Sequence, residues 1–119
     1  MFLAHYLLIL GIFLVFRSKI SFLGLLLGNL IDLDHLYYRI IGKVNWAESA
    51  CASAGSQCSF NFYPLHNMFF VVISLIGCAL IFSKDKKLKF IGFISLGAFL
   101  NLFLDLIHSF TGIGFSILN

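Results

Sequence analysis

Four apolar runs, separated by two short basic connections and one long polar stretch, set the pattern of this chain. The runs cover residues 2–16, 20–38, 64–82 and 90–110. A helix needs about 20 residues to cross the roughly 30 Å hydrocarbon core of a bilayer, and the last three runs meet that length. The first run is short, so we expect it to thin the bilayer locally or to begin outside its core. The pattern predicts an all-α membrane protein, a four-transmembrane-helix bundle with a loop at 39–63.

The composition supports a membrane location and a single domain. The 119 residues are 61% hydrophobic and 11% charged, whereas roughly 25% of the residues in a typical soluble domain are charged. Mean hydropathy is +1.02. A soluble helical protein of this length has too few residues to cover so large an apolar core. We therefore expect residues 1–119 to form one multi-pass domain in the cell membrane.

The basic residues indicate the orientation of the predicted bundle. Six of the eight Lys and Arg lie in the connections at 17–19 and 83–89, which are on one side of it. Cytoplasmic loops carry an excess of Lys and Arg, so both termini and the 39–63 loop are expected on the extracytoplasmic side. The net charge is +3, but the Lys and Arg residues responsible for it lie between the predicted membrane spans. Nucleic acid is therefore not an expected partner. Membrane lipids are expected partners, and homo-oligomerisation is left open.

The polar stretch contains two further signals. Cys51 and Cys58 lie in the predicted outer loop, where a disulfide can persist, and their pairing is left open. Pro64 is expected at the first helical position of the third span, where its missing N–H costs nothing. Ser59 or Asn61 would then cap that helix.

A short polar motif occurs twice near the ends of apolar runs. Residues 32–35 read Asp-Leu-Asp-His and residues 105–108 read Asp-Leu-Ile-His. In each copy the first Asp and the His are three positions apart, which places them on one face of a helix. An ionisable side chain in such an apolar setting is costly unless it is paired, hydrated or bound to a metal.

Seven ionisable side chains are predicted at one depth, near the outer ends of the four spans. They comprise all four His and three of the five acidic residues: His5, Asp32, Asp34, His35, His66, Asp105 and His108. Apolar periodicity alone does not require this convergence. A four-helix bundle built in this way has a cup of His and Asp side chains that opens outward, near the lipid head groups.

The chemistry of this cup predicts a divalent cation. Imidazole and carboxylate together suit Zn²⁺ and other divalent first-row metals. The predicted ligands are His5, Asp32, His35, His66, Asp105 and His108. They exceed the needs of one tetrahedral zinc, so we expect one or two ions, with a carboxylate as the bridge between two. Two metals about 3.5–4 Å apart suit phosphoester hydrolysis, because they activate a shared water and stabilise the attacking and leaving oxygens.

Three further residues are assigned roles around that cation. Asp34 is the candidate general base, or else it ligates the metal or orients a His ligand. Arg39 and Lys43 are candidates to hold a substrate phosphate. The predicted activity is hydrolysis of a phosphoester, with a lipid head group as the candidate substrate, because the cup lies at head-group depth.

Each of these residues also has an ordinary structural explanation. The alternatives are interfacial positions for His5, Arg39 and Lys43, an Asp34–Arg39 ion pair, helix capping by His66 and a buried Asp105–His108 proton relay. Asn29, Asn67 and Asn101 are expected to hydrogen-bond between helices. For the whole chain, the alternatives to a hydrolase are a non-catalytic metal- or ion-binding protein, an ion-translocating protein and a purely structural bundle.

Several motifs resemble those of a known group. Residues 30–35 (Leu-Ile-Asp-Leu-Asp-His), 58–60 (Cys-Ser-Phe), 63–67 (Tyr-Pro-Leu-His-Asn) and the late Asp105 resemble a small membrane family of unknown function. That family is similar to the YdjM-type membrane-bound metal-dependent hydrolases, which look distantly related to zinc-dependent phospholipase C. The resemblance covers most of the chain from about Gly28 onward, together with the early His.

This resemblance implies metal ligation by Asp32, His66 and Asp105, with Asp34 and His35 beside them. The wider group carries a His four residues before the late Asp, where this chain has Asn101. Because an amide is a poor zinc ligand, that departure implies that one metal site is lost or is rebuilt with His108.

Overall fold

The computed structural model describes residues 2–42 and 63–111, and the side chains of residues 5–42 and 63–107. Helices account for nearly all of these residues, and no strand occurs among them. The elements in chain order are α1 (Phe2–Phe16), α2 (Lys19–Gly28), a 3₁₀ turn (Asn29–Asp32), α3 (Leu33–Ile40), α4 (Met68–Gly77), a second 3₁₀ turn (Cys78–Phe82) and α5 (Lys86–Thr111). The described residues thus form four helical segments, because each 3₁₀ turn continues the helix before it.

Two of the four segments are long and apolar enough to cross a membrane. They are Lys19–Ile40 and Lys86–Ile107, each 22 residues long, and the apolar helices His5–Phe16 and Met68–Phe82 are shorter. Large apolar side chains such as Val15, Phe69 and Ile76 are more than half exposed. An apolar outer surface of this kind is expected where helices face lipid, so the predicted all-α fold is confirmed and membrane association is supported.

The two long segments pack against each other at close range. A Cβ added to Gly24 would overlap the side chain of Phe93. A Cβ added to Gly28 or Gly97 would overlap backbone atoms of the facing helix. Small residues allow helix backbones to approach in this way, which is a common basis of packing in membranes. The approach brings the C-terminal part of α2 close to the middle of α5.

The start of α4 differs from the prediction. The helix begins at Met68, and Asn67 caps it by accepting a hydrogen bond of 3.2 Å from the Phe70 N–H. The prediction that Pro64 occupies the first helical position is therefore wrong, as is the predicted capping by Ser59 or Asn61. Residues 63–66 instead form a turn in which the His66 N–H donates to the Tyr63 carbonyl oxygen at 3.0 Å.

The core separates the two ends of the bundle. One apolar cluster contains Ile9, Leu25 and Phe93, and a second contains Val71 and Leu102. The basic connections at 17–19 and 83–89 lie at one end of the helices, and the predicted polar site lies at the other.

Candidate metal centre

The predicted site residues come from four different parts of the fold. His5 lies near the start of α1, and Asp32 ends the 3₁₀ turn that leads into α3. His66 is in the turn before α4, and Asp105 lies in the last two turns of α5. Because the segments alternate in direction, all of these positions fall at the same end of the bundle.

Four of the residues are close enough to share one cation. Asp32, His35, His66 and Asp105, which we call the four-residue cluster, each offer a ligand atom, and these atoms all lie within 4.8 Å of one another. The His66 Nε2 atom lies 3.3 Å from His35 Nε2, 2.9 Å from Asp105 Oδ2 and 3.6 Å from Asp32 Oδ1. Zinc bonds of about 2.0–2.1 Å place tetrahedral ligands about 3.3 Å apart, so the spacing fits a metal shell. The convergence predicted for these four residues is confirmed.

Asp34 orients the central imidazole from behind. Its Oδ2 atom accepts hydrogen bonds of 3.0 Å from His66 Nδ1 and 3.0 Å from the Leu65 N–H. A carboxylate only accepts, so this contact places a proton on His66 Nδ1. The 2.9 Å contact of Nε2 with Asp105 Oδ2 is then a hydrogen bond when the ring is doubly protonated, and a separation between metal ligands when the ring is neutral. Metal-binding His residues are commonly held in this way by a carboxylate on the other ring nitrogen.

The donor set fits a divalent cation on charge as well as on spacing. The lone pair of His66 Nε2 faces the oxygens of Asp32 and Asp105, which are also acceptors, so their contacts are repulsive until a cation or a proton lies between them. Two ionised carboxylates balance the charge of a divalent ion, which lowers the cost of burying it. Two imidazoles and two carboxylates are a ligand set that zinc and other first-row metals accept.

One edge of the cluster is accessible from outside the protein. The side chains of His35, Asp32 and Asp105 are 20%, 15% and 11% exposed, whereas His66 is almost fully buried. The ring of Tyr63 stacks on His35 with 3.7 Å between centroids and 21° between planes. No site role was predicted for Tyr63 or for the Leu65 N–H. Their only signal in the sequence is the 63–67 motif that carries the family resemblance.

The remaining predicted site residues have different positions. His5 lies beside both carboxylates, 3.5 Å from Asp32 Oδ2 and 3.7 Å from Asp105 Oδ1. Arg39 is half-buried near the end of α3. Lys43 and the side chain of His108 lie outside the part of the chain that the structure describes. The roles predicted for these residues and the general-base role of Asp34 therefore stay predictions.

The three Asn residues divide into two groups. Asn101 of α5 is buried, and its Nδ2 donates to Asn29 Oδ1 at 3.1 Å, which confirms the predicted hydrogen bond between helices. Asn67 caps α4 and its Nδ2 donates to the Pro64 carbonyl oxygen at 3.0 Å, so both of these contacts are local. Asn101 also lies one turn before Asp105, which makes it a neighbour of the cluster.

Comparison with known proteins adds no assignment to this geometry. No family model matches the chain, and no curated protein and no solved structure matches it. The resemblance to the YdjM-type hydrolases therefore stays a prediction.

Proposed function

We propose that this chain is a four-span membrane hydrolase that cleaves a phosphoester, with a lipid head group as substrate and a divalent cation, zinc, at its extracytoplasmic face. The observation that carries the proposal is the geometry of His66. Asp34 holds its Nδ1 at 3.0 Å, so that Nε2 faces two carboxylates and a second imidazole within 3.6 Å. A ring in this position can bind a cation. An imidazole that only fills space in a core does not require four ionisable neighbours, which here are Asp32, Asp34, His35 and Asp105.

The chain's own residues have distinct tasks in this proposal. The four-residue cluster holds the cation, and Asp34 fixes the tautomer and orientation of His66. When bound, a divalent cation polarises a phosphoryl oxygen and makes an attacking water more acidic. Arg39 and Lys43 follow the Asp-Leu-Asp-His motif in the sequence, and their charge would favour a substrate phosphate.

The depth of the cluster supports a lipid substrate. Two segments are long enough to span a bilayer. Asp32 and His35 lie in the second half of one, and Asp105 lies near the end of the other. The basic connections lie at the opposite end, which by the positive-inside rule is cytoplasmic. The exposed edge formed by His35, Asp32 and Asp105 then faces the outer head-group layer.

Purified full-length protein in detergent tests the activity directly. We expect it to bind Zn²⁺ or Mn²⁺ and to hydrolyse a phospholipid or a soluble phosphomonoester, as measured by phosphate or head-group release. His66→Ala should lose both metal and turnover. Asp85→Asn is the control, because Asp85 is exposed in the basic connection at the other end and caps only the start of α5. Metal binding without turnover on any head group or phosphomonoester would contradict the hydrolase.

A non-catalytic metal site is the second candidate, and one observation favours it. Four protein groups are enough to complete a tetrahedral shell, which is the composition of structural zinc sites. Ion translocation has less support, because the described core below the cluster is apolar at Leu25, Phe93 and Leu102. A structural site with a complete shell binds metal without turnover, whereas a catalytic site needs a free coordination position. The turnover measurement therefore distinguishes the two.

A further inference from the structure

His5 approaches the two shared carboxylates from the side opposite His66. Its side chain is only 4% exposed, and neither ring nitrogen makes a hydrogen bond to a residue that the structure describes. Nδ1 lies 3.5 Å from Asp32 Oδ2, and Nε2 lies 3.7 Å from Asp105 Oδ1. A buried imidazole with two unsatisfied nitrogens is costly, so its position between two carboxylates requires a physical explanation.

Each carboxylate divides its oxygens between two imidazoles. Asp32 directs Oδ1 toward His66 Nε2 and Oδ2 toward His5 Nδ1. Asp105 directs Oδ2 toward His66 Nε2 and Oδ1 toward His5 Nε2. Each carboxylate therefore faces the ring nitrogens of two different imidazoles. Carboxylates that bridge two neighbouring metal ions have this arrangement.

The ring chemistry of His5 requires a positive charge beside it. A neutral imidazole has one N–H donor and one lone pair, and a carboxylate only accepts. With a carboxylate facing each nitrogen, one of the two contacts places a lone pair against an oxygen. Either a second proton on the ring or a cation next to it removes this repulsion.

The distances favour the cation. Charge-assisted hydrogen bonds between nitrogen and carboxylate oxygen are about 2.7–2.9 Å long. The two contacts of His5 are 3.5 and 3.7 Å, which is longer than such a bond. An imidazole binds a metal through one nitrogen, and the contact at that nitrogen is close to the separation of about 3.3 Å between ligands that share one tetrahedral metal.

We propose that His5 is a ligand of a second divalent cation through one of its ring nitrogens, and that the carboxylate facing this nitrogen, Asp32 or Asp105, bridges that ion to the cation of the four-residue cluster. The inference rests on the metal site proposed above and adds a second site to it. It also gives α1 a role, since this helix supplies the nitrogen ligand for that ion. Two bridged cations would suit phosphoester hydrolysis, because one can stabilise the attacking oxygen and the other the leaving oxygen.

Metal stoichiometry tests the second site independently of activity. Full-length protein is titrated with Mn²⁺ or Zn²⁺, and bound metal per chain is measured by elemental analysis after removal of free ions. We expect two ions in the wild type and in the Asp85→Asn control, and one in His5→Gln and His5→Ala. Electron paramagnetic resonance of the Mn²⁺ protein should show two spin-coupled ions in the wild type and an isolated ion in both variants.

The outcomes separate this inference from the proposed function. One uncoupled ion in the wild type and in the His5 variants overturns the second site and leaves the first in place. Two ions in the His5 variants show that His5 is not a ligand, which also overturns it. An absence of bound metal in the wild type removes both proposals. The wild-type stoichiometry and spin coupling test whether a second ion binds even if neither variant folds.

Discussion

Asp34 shows how one buried side chain connects two parts of the fold beside the four-residue cluster. It lies in the first turn of α3, and its Oδ2 atom binds both the His66 ring and the Leu65 backbone. It therefore fixes the turn before α4 as well as the tautomer of the central imidazole. Its hydrogen bonds favour an orienting role over the predicted role as general base.

Asp34→Asn should weaken metal binding without abolishing it. The variant removes the charge that orients His66 but leaves all four residues of the cluster in place. Loss of such an outer partner typically lowers metal affinity about 10–100-fold. We expect a decrease in that range for Zn²⁺ in competition with a chromophoric chelator, and a much larger loss for Asp105→Asn.

The exposed carboxylate at the basic end provides the matched control for this change. Asp85→Asn makes the same chemical substitution far from the cluster and should leave the affinity unchanged. If Asp34→Asn lowered the affinity as much as Asp105→Asn does, Asp34 would be a direct ligand. An unchanged affinity would mean that the hydrogen bond to His66 does not matter for the metal.

The sequence predicted which residues share a depth but not which atoms meet. The predicted depth came from the apolar runs, because in a membrane protein their ends mark the membrane surfaces, and the motifs lie near those ends. The rotation of each helix about its axis depends on packing between helices, and no local pattern encodes it. For that reason the sequence predicted that His66 and Asp105 lie near each other. The hydrogen bond from His66 Nδ1 to Asp34 was found only in the structure.

At the scale of the elements, the turn at residues 63–66 shows how a tertiary contact can override a local preference. Pro is favoured in the first turn of a helix, so Pro64 was a reasonable start for α4. In the structure the Leu65 N–H and the His66 ring both bind Asp34, which holds this segment in a turn. The helix can begin only after it, at the capping Asn67. The partner responsible is more than 30 positions away in sequence, and local capping rules do not include it.

The contact between α2 and α5 should control the metal site through helix spacing. A Cβ at Gly28 would overlap backbone atoms of Ile94, Gly97 and Ala98. Gly28→Ala should therefore push α2 away from α5 and move Asp32 away from Asp105. Overpacking of this kind costs about 1–3 kcal/mol. We expect a lower unfolding temperature in detergent together with weaker Zn²⁺ binding.

Gly11→Ala is the matched control for that substitution. Gly11 lies in α1, and an added Cβ there meets no atom within 4 Å. Alanine also favours helix more than glycine does, so this variant should be as stable as the wild type or slightly more stable. If Gly28→Ala retained full stability and full affinity, the close approach of α2 and α5 would not position the carboxylates.

At the scale of the whole molecule, the two ends of the bundle differ in chemistry. Six of the seven described Lys and Arg residues lie at the two short connections, while Arg39 and the cluster of His and Asp lie toward the other end. The helix count and the alternating directions followed from the sequence, because each apolar run ends in charged or polar residues. The side of the membrane on which each end lies depends on the asymmetry of basic residues, since the helices themselves fit a bilayer in either direction.

Labelling of single cysteines in intact cells decides between the two orientations. In a chain with Cys51, Cys58 and Cys78 replaced by Ser, we expect Ile41→Cys to react with a membrane-impermeant maleimide. Lys84→Cys should react only after permeabilisation, because the positive-inside rule places its connection in the cytoplasm. The reverse pattern would place the metal centre on the cytoplasmic side. Labelling of both cysteines from outside would mean that Met68–Phe82, the shorter apolar helix between them, does not cross the membrane. The four-span topology would then be wrong even if the metal centre were intact.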